Sequence, residues 1–351
     1  MTLPAAAMAR KGAMLEVAGR LAAMAAVLFL AAMPGSAAAV AAAPNAAPSA
    51  TPNSRQPAAP LPPTSKTAVN PSVAQPYSDA ALTVQDDSGH AIVLAHPARR
   101  IVSLAPHATE LLFAAGAGNA VVGVTDYSDY PAAARTIPGL GSSAGFDLER
   151  IAAMKPDLIV AWGSGNPAAK LATLRRMGFV VFESEPRQFE TIATSLERLA
   201  HLSGTDKVGA DAAQAFRARL AALRASHQDL PTVSVFYQIW RAPLMTLNGA
   251  HLVSQAITLC GGVNIFAALA PLAPTVSIES VVNANPDAIV TSADGHADAL
   301  AEWRRYGAMK AVRENHLYTL PPDAMSRPGP RVLDGTKALC RQLTRARAAP
   351  Q

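Results

Sequence analysis

The sequence lacks the motifs that mark most active sites. It has no G-x-S-x-G elbow, no phosphate-binding loop and no H-E-x-x-H pair, and its eight histidines are scattered. No histidine has a second ligand at metal-site spacing, and no general acid/base pair is identifiable. We therefore predict no catalytic residue, no metal site and no cofactor. These absences favour binding over catalysis, with an exported hydrolase as the alternative.

The chain also lacks a hydrophobic run long enough to cross a membrane. Its apolar run, Leu21–Met33, has thirteen residues, whereas about 20 are needed to span about 30 Å of hydrocarbon. Three basic residues precede the run, and Pro34-Gly35 and small residues follow it. This pattern predicts a signal peptide over residues 1–40 and export to the periplasm. Because no cysteine lies near it, we expect a soluble protein without a lipid anchor.

Residues 41–77 contain almost no large apolar side chains. They are rich in alanine, proline and serine, and such a stretch cannot bury enough surface to offset its ordering entropy. We predict a disordered linker there, with the globular part beginning at about residue 78.

No basic stripe is present in the globular part. From residue 78 onward there are 25 basic and 24 acidic residues, so the net charge of +5 comes mostly from the leader. Nucleic acid is therefore not an expected partner.

Short apolar segments alternate with helical patterns through the globular part. A hairpin signal over Leu82–Leu94 is followed by two such series, separated by residues 205–228 with continuous helical spacing. The pattern predicts an α/β fold with two Rossmann-like lobes of parallel sheet, residues 78–204 and 229–346, joined by one long helix. A ligand cleft is expected between the lobes. The second series includes a predicted helix over residues 297–306.

One segment occurs once in each half. Phe146–Val160 aligns without gaps on Val276–Val290, with five of fifteen positions identical. Each copy has a capping residue, then a glutamate, Glu149 or Glu279, in the first helical turn. Helix stability alone can account for the acid and its cap.

Aromatic residues form only 5% of the chain, so their positions are informative. Five are predicted at the carboxyl ends of strands, where open sheets bind ligands: Tyr127, Tyr130, Trp162, Tyr237 and Trp240. Core packing can account for one or two of them, but five at the same ends of different strands suggest a cleft suited to a large, flat ligand. His107, which also follows a strand, is interpreted as a turn or capping residue.

The chain has two cysteines, Cys260 and Cys340, far apart in sequence. A redox pair would have its thiols close together, whereas an exported protein with two cysteines most simply forms one disulfide. We therefore predict a Cys260–Cys340 bond.

Several segments together carry a family resemblance. Between about Arg99 and Cys340 the chain contains five such segments, with their motifs in the order expected for one family. They are "RIVSLAPHATELLFAAGAG", "GVTDYSDYP", "FDLERIAAMKPDLIVAW", "LCGGVNIF" and "TVSIESV". The chain resembles the periplasmic cobalamin-binding proteins of bacterial ABC importers, whose two lobes are joined by a single rigid helix. The resemblance implies a monomeric protein that carries a corrinoid as transported ligand to a permease dimer. Relatives in this class bind haem or ferric siderophores, which remain alternatives.

The resemblance also implies roles for particular residues. Tyr127 and Trp162 match pocket aromatics of the family, and its D-x-x-x-R segment matches Asp323–Arg327, that is Asp323, Ala324, Met325, Ser326 and Arg327. The family disulfide falls on the two cysteines. Glu149 and Glu279 match the acids that pair with permease arginines. Ser143 and Ala273 stand where the family has tryptophans, and we expect Trp240 to supply the second lobe's aromatic surface.

Overall fold

The computed structural model describes residues 81–292 and 299–348. The predicted signal peptide and linker, residues 1–40 and 41–77, lie outside this part. The described chain begins with the predicted hairpin, in which β1 (Leu82–Gln85) pairs antiparallel with β2 (Ala91–Leu94). The hairpin turn lies on β6 (Val181–Ser184), an edge strand, where Asp86 Oδ2 accepts the Glu183 N–H at 3.0 Å. The turn thereby satisfies a donor at the open edge of the first sheet.

The first lobe is built on a parallel sheet of four strands. Its order is β4-β3-β5-β6, with β3 over Ile101–Ser103, β4 over Val121–Val124 and β5 over Leu158–Trp162. The helices are α1 (Pro106–Ala114), α2 (Leu148–Ala153) and α3 (Ala168–Arg176), with short 3-10 turns at Gly118–Ala120 and Ala132–Thr136. Helix α2 begins at its predicted cap, because the Asp147 carboxylate accepts from the Glu149 and Arg150 N–H groups.

Two antiparallel helices lead from the first lobe to the second. Helix α4 covers Phe189–Ser203 and α5 covers Asp206–Ala225, with Gly204 between them at φ 68°. Glycine suits this left-handed turn because it carries no Cβ. Helix α5 has 20 residues, fewer than the 24 predicted from the sequence, and α4 was not predicted. Helix α4 packs against α1 and β1 of the first lobe, and α5, which contacts both α1 and the last helix, Val332–Ala348, makes the connection to the second lobe.

The second lobe repeats the sheet of the first. Its order is β10-β9-β7-β8, with β7 over Val233–Gln238, β8 over Gly262–Asn264, β9 over Ala288–Thr291 and β10 over Leu317–Thr319. The helices are α6 (Leu252–Leu259), α7 (Ile278–Ala284), α8 (Lys310–Arg313), α9 (Pro322–Ser326) and α10 (Val332–Ala348). The ten-residue helix predicted over 297–306 is wrong for its described part, where a 3-10 turn covers Ala301–Arg305.

Both sheets have the same topology, which explains the repeated sequence segment. In each lobe the first strand lies second in the sheet, the next strand lies outside it, and the remaining two add on the other side. The strand order therefore reverses beside β3 in the first lobe and beside β7 in the second. Such reversal points, at the carboxyl ends of parallel strands, are where open α/β sheets bind ligands.

The two sheets share one apolar core. Alternate residues of the central strands face opposite ways, so Ile101, Leu158, Val235 and Val290 join one common cluster. Their neighbours Val102 and Ile159 belong to a cluster of the first lobe, and Phe236 and Ile289 to a cluster of the second. Helices α1, α4, α5 and α10 complete the common cluster. The lobes are therefore held by a continuous core on one face.

The predicted disulfide is confirmed. Cys260, at the end of α6, is bonded to Cys340 in α10. Both residues are buried in the common core, and the bond closes a chain segment of 80 residues.

Removing this bond should lower the free energy of unfolding. In the chain-entropy description, closing a loop of this length contributes about 4 kcal/mol. The double substitution Cys260→Ala with Cys340→Ala should therefore lower the free energy of unfolding by up to that amount in denaturant titrations. Reduced wild-type protein is the control and should unfold with the variant. Equal stability of the oxidised protein and the variant would contradict the prediction.

Candidate functional site

Loops at the carboxyl ends of the first sheet contact the second lobe at both edges. After β4, the Asp129 carboxylate lies 2.7 Å from Nη1 of Arg327, which follows β10. After β6, the Arg187 carbonyl accepts from Nε2 of Gln255, in α6, at 2.8 Å. Because both contacts start from loops at the carboxyl ends of strands in the first sheet, this edge of the sheet faces the second lobe. The space between the contacts is the candidate ligand cleft.

Tyr127 lies in the loop after β4 with a left-handed backbone. Its φ is 64°, and 40% of its surface is exposed. A non-glycine residue in this conformation is uncommon and is tolerated where surrounding contacts fix it. Backbone bonds from Thr125 to Ser103 and from Asp126 to Gly141 hold the loop on the sheet. The fold thus presents an aromatic side chain at a strand end.

Trp162 is the last residue of β5 and is half-buried. The backbone N–H of Trp162 donates to Asn166 Oδ1 at 2.7 Å. The side-chain amide of Asn166 donates to the carbonyls of Leu104 and Ser143. The indole packs flat on Gly165, where a Cβ would lie 1.8 Å from the ring. Asn166 and Gly165 therefore orient this side chain. Sequence patterns alone did not single them out.

His107 lies under Trp162, with ring centroids 5.8 Å apart in an edge arrangement. Burial lowers the pKa of His107 to about 4, against a smaller opposing effect of a hydrogen bond to the Ser184 backbone. Its Nε2 is buried, and no described residue offers it a hydrogen bond. The imidazole is therefore neutral near pH 7 and supports the indole by packing.

The second lobe contributes one of its two predicted aromatic residues. Trp240 follows β7, is partly exposed, and donates from Nε1 to the Ala242 carbonyl at 2.9 Å. Tyr237 is 1% exposed in the common core, and its hydroxyl donates to Ser292 Oγ. Core packing therefore accounts for Tyr237, because its position in β7 points the side chain into the common core. Tyr130 packs its ring under the Arg331 guanidinium at 4.0 Å.

The segment Asp323–Arg327 forms α9 and the residue after it. Ala324 and Met325 are buried, Met325 in the common core, while Ser326 is exposed. The Asp323 carboxylate lies 2.9 Å from Nη2 of Arg327. The buried side chains of Ala324 and Met325 therefore attach this segment to the lobe, and the charged side chains of Asp323 and Arg327 at its two ends pair with each other.

Three residues that the sequence did not single out join this segment to the first lobe. They are Glu110 in α1, Asp129 after β4 and Arg331 before α10, and with Asp323 and Arg327 we name them the Glu110 network. Glu110 is 3% exposed. Burial works to raise the pKa of Asp129, but the hydrogen bond and charge of Arg327 outweigh it and hold that pKa below its usual range. A single acidic residue in a largely apolar helix was the available signal.

Glu149 and Glu279 lie in equivalent places, in the first turns of α2 and α7, and both are exposed. Hydrogen bonds from its own N–H and from Ser277 lower the pKa of Glu279. The Glu279 carboxylate is thus anionic near pH 7, and both glutamate side chains are accessible.

Other candidate sites in the described residues have little chemistry of their own. No group of three or more histidine, cysteine or acidic side chains there is arranged to hold a metal ion. A concavity of about 640 Å³ beside β6 is lined by acids. Two of these are paired, Asp87 with Arg198 and Glu183 with Arg175. None of the three cleft aromatics lines it.

The fold and the opposed strand ends define a class of two-lobed α/β binding protein. Residues 101–324 match the family model described as periplasmic binding protein. The vitamin B12-binding protein of Vibrio cholerae is 41% identical over 252 residues, 70% of this chain and 90% of that protein. That of Yersinia pestis is 37% identical over 71% of this chain and 88% of the relative. The chain belongs to the periplasmic binding protein family.

Solved structures agree with this assignment. The periplasmic vitamin B12 binding protein of Vibrio cholerae superimposes with a TM-score of 0.67 at 41% identity, over 72% of this chain and 99% of that chain. The periplasmic heme-binding protein of Roseiflexus gives 0.63 at 25% identity, over 71% and 98%. Within residues 81–292 and 299–348, no helix combines the length and hydropathy required for a membrane span.

Two buried histidines should make stability fall in mild acid. Burial lowers the pKa of His107 and of His251, the cap of α6, to about 4, whereas unfolded histidine titrates near 6.5. The unfolded chain therefore binds protons first. The free energy of unfolding therefore has its full value above about pH 6.5. It falls as the pH is lowered toward 4, by about 3 kcal/mol for each histidine.

Denaturant titrations from pH 8 to pH 4 can check this with one variant. His251→Asn keeps a good capping side chain and removes the titrating group, so its stability should fall less steeply below about pH 6.5. At pH 8 both proteins serve as the control and should differ by less than about 1 kcal/mol. Parallel pH profiles would contradict the assignment to His251.

Proposed function

We propose that this protein binds a corrinoid between its lobes in the periplasm and delivers it to an ABC importer permease. The observation that carries this proposal is the 41% identity to a vitamin B12-binding protein over 90% of that protein. The exposed or half-exposed Tyr127, Trp162 and Trp240 at opposed strand ends support it, because stacking on a large, flat macrocycle needs aromatic surface.

The proposed binding is non-covalent, with cobalamin as the transported ligand and no cofactor. Tyr127 and Trp162 would cover one face of the ring from the first lobe, and Trp240 would cover it from the second. The amide groups at the rim of the ring can both donate and accept hydrogen bonds. Asp323 would accept from them, and Arg327 would donate to them. No step in this function requires catalysis, and we propose a monomer.

Calorimetric titration tests the ligand. Cyanocobalamin, haemin and a ferric siderophore are titrated separately into purified protein, and we expect tight binding of cyanocobalamin with a stoichiometry of about one. The spectrum of each mixture provides a second reading, because the three ligands absorb differently. Tight binding of haemin or siderophore without cyanocobalamin would refute the ligand assignment.

A substitution at Tyr127 tests the site in the same titration. Tyr127→Asn removes the ring while keeping a side chain that tolerates positive φ, and affinity for cyanocobalamin should fall about tenfold. Lys155→Asn is the matched control, since Lys155 also has positive φ and precedes β5, at the opposite end of the sheet. Equal affinities of the two variants would remove Tyr127 from the site.

We also propose that Glu149 and Glu279 dock the protein on the permease. The two acids occupy the same place in topologically equivalent lobes, and a two-fold dimer would offer a cation to each. Charge complementarity of this kind promotes encounter between partners.

Charge reversal at both positions should impair uptake and spare ligand binding. Glu149→Lys with Glu279→Lys should lower cobalamin uptake in a strain that depends on this protein at least about tenfold, because two attractive contacts become repulsive. Asp206→Lys is the control, since it reverses an acid in the first turn of α5 and carries the same helix-dipole cost. Normal uptake by the double variant would sink the docking proposal.

A further inference from the structure

Glu110 is a buried acid whose partners all come from the other lobe. Its side chain is 2% exposed. Oε1 accepts from Nη2 of Arg331 at 2.5 Å, and Oε2 accepts from Nε at 2.9 Å, so the pair is bidentate. Nη1 of Arg327 lies 3.4 Å from Oε1. A buried carboxylate without such partners would be strongly destabilising, so the contacts constrain both lobes.

The same arginines reach the loop that carries Tyr127. Arg327 bonds to Asp129 at 2.7 Å, and the Arg331 guanidinium covers the Tyr130 ring. The hydrogen bond to Glu110 raises the pKa of Arg331 above its ordinary value. One buried carboxylate is thus connected, through two cations, to the strand-end loop of the first lobe and to α9 of the second.

The backbone of residues Asp323–Arg331, which we name the arginine segment, runs directly over α1. A Cβ at Gly329 would lie 3.3 Å from Glu110 Oε2 and 3.8 Å from the His107 carbonyl. Glycine therefore permits a close approach here, and the approach brings Arg327 and Arg331 to the carboxylate from either side. The contact between this backbone and α1 is therefore direct.

We propose that Glu110 is a positioning residue that holds the segment Asp323–Arg331 against the first lobe before ligand binds. This role rests on the proposed function, in which Asp323 and Arg327 contact the ligand. Because the segment is already placed, binding does not have to order it, and dissociation requires breaking a buried ionic contact. The expected consequence is slow ligand release.

The test compares four variants with the wild-type protein. Glu110→Gln removes the charge at nearly constant shape, Arg331→Gln removes its bidentate partner, and the double variant removes both. Asp334→Asn is the matched control, because it breaks the exposed Arg219–Asp334 pair between α5 and α10, and the Asp334 carboxylate pairs with no member of the Glu110 network. Circular dichroism reports whether each variant is folded.

Two measurements are made on each variant. In the ligand-free protein, amide hydrogen exchange of a peptide covering residues 322–331 should be about tenfold faster in Glu110→Gln than in wild type. The dissociation rate of cyanocobalamin should rise about tenfold, with the association rate changed less than about threefold. The control should differ from wild type by less than about twofold in both measurements.

The double variant separates positioning from general destabilisation. If Glu110 acts through Arg331, the double variant should release ligand no faster than the faster single variant, because the contact can be lost only once. Multiplicative effects, or unchanged exchange in a folded Glu110→Gln protein, would overturn the proposal. Should that variant not fold, Glu110→Asp keeps the charge and shortens the side chain, and unchanged exchange in it is equally decisive.

Failure of the corrinoid assignment gives a different result. Wild-type protein that does not bind cyanocobalamin would refute the proposed function, whatever the variants do. The exchange comparison uses ligand-free protein, so it still supports or overturns the positioning role of Glu110.

Discussion

The common apolar core constrains how the two lobes can move. Alternate residues of β3, β5, β7 and β9 enter a single cluster, together with α1, α4, α5 and α10. A close-packed cluster of this kind resists shear, because separating its halves would expose apolar surface at about 25 cal/mol for each Å². The opposite faces of the sheets belong to separate clusters. The shared core therefore resists movement of one lobe relative to the other.

The disulfide and the helices α4 and α5 also restrict movement of the elements that form the common core. Cys260–Cys340 connects α6 with α10 inside the second lobe. The bond therefore restrains α10, the helix that follows the arginine segment. Helix α4 lies against α1, and α5 lies against both α1 and α10. A change at either place is transmitted to the cleft through packed side chains, since interiors with crystal-like density have few voids to absorb it.

Local sequence patterns predicted most of the fold and part of the candidate site. Strand and helix periodicity identified the β–α alternation and the lobes, because period 2 and period 3.6 can be read over short windows. Helix α4 was missed, and only Gly204 and Thr205 separate it from α5. Tyr127 and Trp162 were found because strand ends follow from the alternation. Which of the five aromatics belongs to the core could not be predicted, because the face of a strand on which a residue lies depends on packing; the core residue is Tyr237.

The Glu110 network could not be predicted, because its members are joined only by the tertiary fold. Glu110 lies 217 residues from Arg327 and 221 from Arg331 in the chain, so no local period connects them. Its position has a thermodynamic consequence for capture. In a protein with freely moving lobes, binding must offset the entropy of closure. Here the shared core and the buried carboxylate already hold the arginine segment beside the loop of Tyr127. Ligand binding then has fewer groups to order, and more of the interaction free energy remains as affinity.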